Sequence, residues 1–216
     1  MSLGLAIAAG SAGLAIGAPA PEELPANTVV VVSHVPLSLG TIAKAEFHHA
    51  MALAIAGDGR KSPPKQGGKR FEALRAAAHG ELLDGVWVRG QAREMGIAAT
   101  PRQIARELAR IKEENFKSEA EYRRFLRQSH FTRRDLNERV ELQLLAQRIQ
   151  ERVSAKGGAK GFSKFVAAYV KRWRARTVCA PGYVTDHCSN GPPLAPLVFP
   201  RPSELRPGYG TSIGLS

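Results

Sequence analysis

The chain is poor in the residues and motifs that carry most enzymatic and metal chemistry. Only two of its 216 residues are cysteine, and aromatic residues make up 6%. It has neither an H-E-x-x-H metal motif nor a phosphate-binding loop, and the carboxylates of residues 70–153 are interleaved with arginine, as on solvated helix faces. We therefore predict no catalytic site, no cofactor and no small-molecule substrate. With few aromatics the core must consist mainly of Leu, Ile, Val and Ala, which together with abundant Arg and Glu favours an all-α fold.

Charge is missing from the N-terminal segment. The first 20 residues, MSLGLAIAAGSAGLAIGAPA, contain no charged side chain. An apolar run that ends in the small residues Ala18 and Ala20 is typical of a secretory signal peptide, to which we assign residues 1–20. Because no Lys or Arg precedes the run, an apolar N-terminal helix or a membrane anchor is the alternative. We expect the protein to be exported to the cell envelope or beyond, and to be membrane-tethered if the segment is not cleaved.

The two cysteines lie close together in RTVCAPGYVTDHCSNG, at positions 179 and 188. In an exported chain, Cys179 and Cys188 on either side of a Pro-Gly turn predict a disulfide. Asp186 and His187 precede Cys188, so a metal site is the alternative. We expect no metal, because one His and two Cys lack a fourth ligand and the C-x-x-C spacing.

The formal net charge of +12 raises the question of nucleic-acid binding. Residues 1–69 contribute +1, residues 70–153 +4 and residues 154–216 +7. A turn before Arg102, Gln103 and Arg106 would suit a helix-turn-helix DNA-binding module. Because the helical middle is nearly balanced, we expect no nucleic-acid partner, and at most weak contact of the basic tail with an anionic envelope surface.

Helical periodicity dominates residues 69–153. Apolar residues recur every three or four positions from Lys69 to Met95 and predict one long helix that ends at Gly96. Three further helices start at predicted capping boxes, the last of them spanning residues 133–153. The paired capping residues are Thr100 with Gln103, Ser118 with Glu121, and Thr132 with Asp135.

The remaining segments are assigned by composition. The β-branched run from Val29 to Val32 predicts a strand, which could pair with the segment around Tyr183 and Val184. The other assignments are a helix at 41–57, a loop at 57–69, a flexible linker at 154–161, a C-terminal helix and disulfide loop packing on the domain at 162–191, and a disordered tail at 192–216. The prediction is an all-α domain of about five helices with one short N-terminal strand.

Residues 78–153 carry a family resemblance. Their phrases occur in the order A-x-x-x-G-I, T-P-R-Q-I, F-x-S-E-A-E-Y-x-x-F-L and F-T-x-x-D-L-x-x-R-V. This block, with IAKAEFHHAM at 42–51, resembles the N-terminal chaperone domain of the SurA and PrsA foldases. Downstream, YVKRWRARTVCAPGYVTDHC at 169–188 resembles the C-terminal ends of actinobacterial-type foldases.

The resemblance implies a chaperone domain over residues 27–153 that binds unfolded or exported polypeptides through an apolar groove, without ATP. The larger side chains of this domain are the candidate client contacts, and the alternative is that they are ordinary core residues. These candidates are Trp87, Met95, Tyr122, Phe125 and Phe131. Family members often carry a parvulin prolyl isomerase domain before the tail, but here only residues 154–161 intervene. We therefore expect a holdase without enzymatic activity. A DNA-binding module and a non-catalytic structural remnant of a foldase are the alternatives.

Overall fold

The computed structural model of the chain describes residues 20–59 and 62–193. The predicted signal segment up to residue 19 and the predicted tail from residue 194 lie outside the described residues. The described chain is mainly helical with one small sheet, which confirms the predicted fold class. After a short 3-10 helix at Pro21–Glu23, the elements in chain order are β1 (Thr28–Val32), α1 (Leu37–Gly40), β2 (Thr41–Ala43), α2 (Lys44–Gly57), α3 (Lys69–Glu94), α4 (Pro101–Asn115), α5 (Glu119–Ser129), α6 (Arg133–Ala175) and β3 (Thr177–Cys179).

The helix starts predicted from capping residues are confirmed, whereas the helix predicted from residue 41 begins only at Lys44, because residues 41–43 form β2. At the start of α4, the Thr100 hydroxyl accepts from the Gln103 backbone N–H at 3.3 Å, and Gln103 Oε1 accepts from the Thr100 N–H at 2.9 Å. The box at Thr132 is also complete. At α5 the Ser118 hydroxyl accepts from the Glu121 N–H at 3.2 Å, but the Glu121 carboxylate reaches the N–H one residue before the cap.

The predicted stop at Gly96 is also confirmed. Gly96 has φ 62°, the left-handed conformation that glycine adopts without steric cost. The Ile97 N–H donates to the Ala92 carbonyl at 2.8 Å, which satisfies a free acceptor at the end of α3. The turn between α3 and α4 is therefore set by local chemistry.

A three-stranded antiparallel sheet joins the two ends of the described chain, in the order β2-β1-β3. The predicted strand does pair with a C-terminal segment, but that segment is β3 and not the one around Tyr183 and Val184. The strand ends at a turn closed by the Tyr183 N–H and the Ala180 carbonyl at 3.0 Å. Tyr183 and Val184 instead pack against the core, with the Tyr183 ring 5.1 Å from the Phe47 ring.

The predicted linker at 154–161 is wrong. Residues on both sides of Gly158 are helical, and α6 continues from Arg133 to Ala175 with one kink at Gly158 (φ 57°, ψ −160°). The Ala and Lys residues around the kink have high helix propensity, so only the single glycine interrupts the helix. Within the described residues, no helix combines the length and the apolar character needed to cross a bilayer.

The core has two parts. The larger one lies between the sheet, α2, α3 and the end of α6, and its most deeply buried large side chains include Leu83, Trp87 and Trp173. The smaller one joins the C-terminal end of α3 to the middle of α6 and contains Ala92, Ile97, Leu145 and Ile149. Helices α3 and α6 approach closely where the Trp173 ring lies against Gly90.

Candidate functional site

Two of the five predicted client contacts are core residues, which corrects the prediction. Trp87 is 1% exposed, and its indole Nε1–H donates to the Thr177 hydroxyl at 2.9 Å, so it anchors β3 to α3. Tyr122 is 3% exposed and packs edge-on against Phe116, with Lys112 Nζ 4.3 Å above its ring. Neither side chain can contact a client while the domain is folded.

Phe125 and Phe131 belong to a row of partly buried aromatic rings. The ring centroids of Phe116 and Phe125 are 5.3 Å apart, and those of Phe125 and Phe131 are 6.0 Å apart and stacked. All three rings are partly exposed to solvent. Phe116 is not among the predicted contacts, although it is the first residue of the phrase F-x-S-E. We call Phe116, Phe125 and Phe131 the aromatic row.

The aromatic row leads to a cleft between α2, α3 and α6. The Arg139 guanidinium lies 4.6 Å above the Phe131 ring and also lines this cleft, whose volume is about 410 Å³. Its apolar lining includes three partly buried leucines, one from each helix: Leu53, Leu82 and Leu142. Gly85 also lines the cleft, and a Cβ there would make an ordinary contact with Leu142 Cδ1 at 3.4 Å.

Charged groups of both signs surround the apolar lining. His49 Nε2 contacts Asp135 Oδ1 at 2.9 Å and ties α2 to the start of α6. The Arg139 guanidinium also pairs with Glu81. Burial alone would raise the pKa of Asp135, but hydrogen bonds from Thr132 and His49 hold it below its ordinary value. The carboxylate is therefore kept ionised at the rim, so the cleft offers apolar contacts at its base and both charges at its edge.

Met95 lies apart from the aromatic row. It is partly buried in the smaller core and lines a second depression of about 390 Å³ with Val153 and Phe165. Of the five predicted contacts, the structure thus brings only Phe125 and Phe131 together. Nothing in the sequence indicates that the leucines of α2, α3 and α6 meet in one cleft, because that depends on how the helices cross.

Of the three residues predicted for a DNA-binding alternative, only Gln103 has a local role, whereas Arg102 and Arg106 are exposed and form no ion pair within the described residues. Gln103 completes the cap of α4 with its side chain. Further along α4, Arg110 is held by Glu107 and by Glu114, the latter at 2.6 Å. Part of the polar surface of α4 therefore stabilises the helix itself, while Arg102 and Arg106 remain exposed to solvent.

Cys179 and Cys188 are bonded to each other in the structure and are fully buried. His79 Nε2 lies 3.9 Å from Cys179 Sγ, and these three residues form the one group of potential metal ligands within the described chain. Sulfurs that are bonded to each other are not thiolate ligands. Burial, together with the charges of His187 and Arg75, lowers the pKa of His79 to about 4, so the buried ring is neutral.

Comparison with known proteins finds one family. The family described as SurA-like N-terminal domain matches residues 39–150, from the end of α1 to the middle of α6. No curated protein and no solved structure matches the chain.

Proposed function

The chain belongs to the family of SurA-like N-terminal domains, and we propose that it is an ATP-independent holdase for unfolded or exported polypeptides. The family supports a foldase- or chaperone-type protein that binds polypeptides in general. The observation that carries the proposal is the continuous surface formed by the aromatic row, Arg139 and the cleft. Such a surface can accept apolar side chains of many shapes.

The exposed area of this surface favours weak and reversible binding. Complete burial of a Phe side chain contributes about 1.5–3 kcal/mol, and Phe125 and Phe131 are already partly buried, so each has at most about 1 kcal/mol left to contribute. A few such contacts, together with the leucines of the cleft, would hold a chain for short times. Release therefore needs no nucleotide hydrolysis.

We further propose that the protein binds without catalysing prolyl isomerisation. Helix α6 continues through residues 154–161, where the family resemblance would place an inserted isomerase domain. The described chain therefore carries the binding helices without an interrupting domain at this position. Charged groups on the surface described above pair with each other, such as Arg139 with Glu81.

Export is part of the proposal. The uncharged residues 1–20 have the composition of a signal peptide, and a buried pair of bonded cysteines is typical of proteins in oxidising compartments. Mass spectrometry of material isolated from the producing cell would identify the mature N terminus. A start near residue 21 is expected, whereas an intact N terminus would leave the protein tethered to the membrane.

The holdase proposal is tested by light scattering of a reduced, unfolding test protein. Equimolar wild-type protein should slow its aggregation, and the double variant Phe125→Gln/Phe131→Gln should lose at least about half of that effect because it removes the apolar contacts. The matched control is Phe162→Gln, which changes another partly buried aromatic residue, stacked on Phe165 at 6.5 Å in the C-terminal part of α6. Thermal melting of each variant verifies folding.

Three outcomes would contradict parts of the proposal. No effect of the wild-type protein at several-fold excess would contradict the holdase and favour a structural remnant. An equal loss in the double variant and in the Phe162 variant, with folding intact, would show that the aromatic row is not the binding surface. Sequence-selective binding of duplex DNA in a gel shift at physiological salt would instead support the DNA-binding alternative.

A further inference from the structure

The C-terminal part of α6, after the kink at Gly158, presents an exposed row of lysines. Lys160, Lys164 and Lys171 are all exposed, and their spacing of four and seven residues places them within about 40° around the helix axis. They extend over about 16 Å of helix. We call these three residues the lysine face.

The lysine face has no acidic partner among the residues that the structure describes. No Asp or Glu occurs anywhere from Ser154 to Thr185. Within the part of the chain that the structure describes, these lysines form no ion pair, whereas arginines of α4 and α5 do, such as Arg110 with Glu107. Like charges four residues apart, such as Lys160 and Lys164, destabilise a helix. The arrangement therefore does not serve the stability of the helix.

The orientation and shape of the lysine face are set by the fold. On the opposite side of the helix, Phe165, Tyr169 and Trp173 pack against the core, so the lysines are held pointing outward. Between the lysines lie the small exposed residues Ser163, Ala167 and Ala168. Small side chains leave the ammonium groups as the most protruding part, which suits approach to a broad surface.

We propose that the lysine face binds the surface of a bilayer that contains anionic phospholipids. Ammonium groups bind as point charges and need no fixed geometry from their partner, which matches the mobile phosphates of lipid headgroups. The face lacks the Arg, Asn or Gln side chains that read base edges and the aromatic rings that stack on bases, so nucleic acid fits it less well. The uncharged N-terminal segment, interpreted above as an export signal, also brings the chain to a membrane.

Flotation of the full chain with vesicles tests this proposal. Wild-type protein should bind vesicles of phosphatidylcholine with about 30 mol% phosphatidylglycerol at about 0.1 M salt, bind pure phosphatidylcholine much less, and dissociate as salt rises. The triple variant Lys160→Gln/Lys164→Gln/Lys171→Gln should weaken the binding to anionic vesicles at least about tenfold. The matched control removes the same charge from three exposed lysines elsewhere, as Lys65→Gln/Lys69→Gln/Lys117→Gln.

The control triple should bind anionic vesicles within about twofold of wild type, because its lysines lie outside the face. Equal binding of both triple variants would overturn the proposal, and so would equal binding of wild type to anionic and neutral vesicles. Binding to soluble polyphosphate or duplex DNA without binding to vesicles would overturn the assignment of a membrane. Unchanged activity of the lysine variant in the aggregation assay keeps this result separate from the proposed holdase function.

Discussion

Replacing Gly90 by alanine should destabilise the domain, although alanine is the better helix former. The close approach of α3 and α6 depends on the missing side chain, since a Cβ at Gly90 would lie 2.2 Å from Trp173 Cη2, 2.8 Å from Cζ3 and 3.0 Å from Cζ2. The indole is fully buried, and its Nε1–H donates to Gln91 Oε1 at 3.2 Å, with Arg176 4.9 Å above the ring. It is therefore held from several sides.

The magnitude follows from two opposing effects. To restore a contact of 3.4 Å, the closest ring atom or the helix would have to move by about 1.2 Å, and overpacking of this kind costs about 1–3 kcal/mol or more. The gain in helix propensity from Gly to Ala is at most about 1 kcal/mol. Because a required shift of about 1.2 Å places the overpacking cost near the upper end of its range, the free energy of unfolding should fall by about 2 kcal/mol.

Urea unfolding followed by far-UV circular dichroism and by tryptophan fluorescence measures this difference. A loss of about 2 kcal/mol lowers the urea midpoint by about 1 M at typical m-values. The control is Gly80→Ala in the same helix, where a Cβ would meet nothing within 4 Å, so this variant should be more stable by about 0.5–1 kcal/mol. If Gly90→Ala is as stable as wild type while Gly80→Ala behaves as expected, the packing of Trp173 against α3 is wrong.

Three further predictions concern the buried polar groups around β3. Burial lowers the pKa of His79 from 6.5 in the unfolded chain to about 4 in the folded chain. The free energy of unfolding should therefore be highest above pH 6.5 and fall by about 3 kcal/mol as the pH drops to 4. Urea titrations at several pH values should detect this dependence in the wild type and not in His79→Gln. Joint replacement of Cys179 and Cys188 by alanine should lower the free energy of unfolding by about 2.5–3 kcal/mol. Mass spectrometry before and after reduction should detect the disulfide, and free thiols in native material would contradict the pairing. Thr177→Val should lower the free energy of unfolding by about 1–3 kcal/mol, because it leaves the Trp87 N–H without an acceptor, whereas Thr177→Ser should be as stable as wild type. An equal loss of stability in both variants would attribute the effect to packing and not to the hydrogen bond.

Local chemistry made the helix boundaries predictable. The stop at Gly96 and the caps at Thr100 and Thr132 depend on residues within a few positions of each other, and the structure has them where the sequence indicates. The family phrases lie in this same region, which is matched over residues 39–150. The linker prediction failed for a related reason. Its glycines suggested flexibility, but only Gly158 leaves the helical conformation.

Burial was not predictable in the same way. Leu82 and Leu83 are adjacent in α3, yet Leu82 lines the cleft and Leu83 is fully buried in the larger core. Trp87 has the size of a client contact, and only the position of β3 shows that it is a buried anchor. From the sequence, Gly90 is expected only to weaken the helix, and the tertiary structure shows that its missing side chain makes room for the Trp173 ring.

The sequence by itself determined where α4, α5 and α6 begin and where α3 ends, that one β-branched segment forms a strand, and to which family the helical region belongs, because caps, glycine turns and periodicity act between neighbouring residues. The tertiary structure alone decided which face of each helix is covered, that β3 pairs with β1, and that the aromatic row meets the cleft at Arg139. Periodicity tells which side chains share a face, but which element covers that face depends on contacts between residues far apart in the chain.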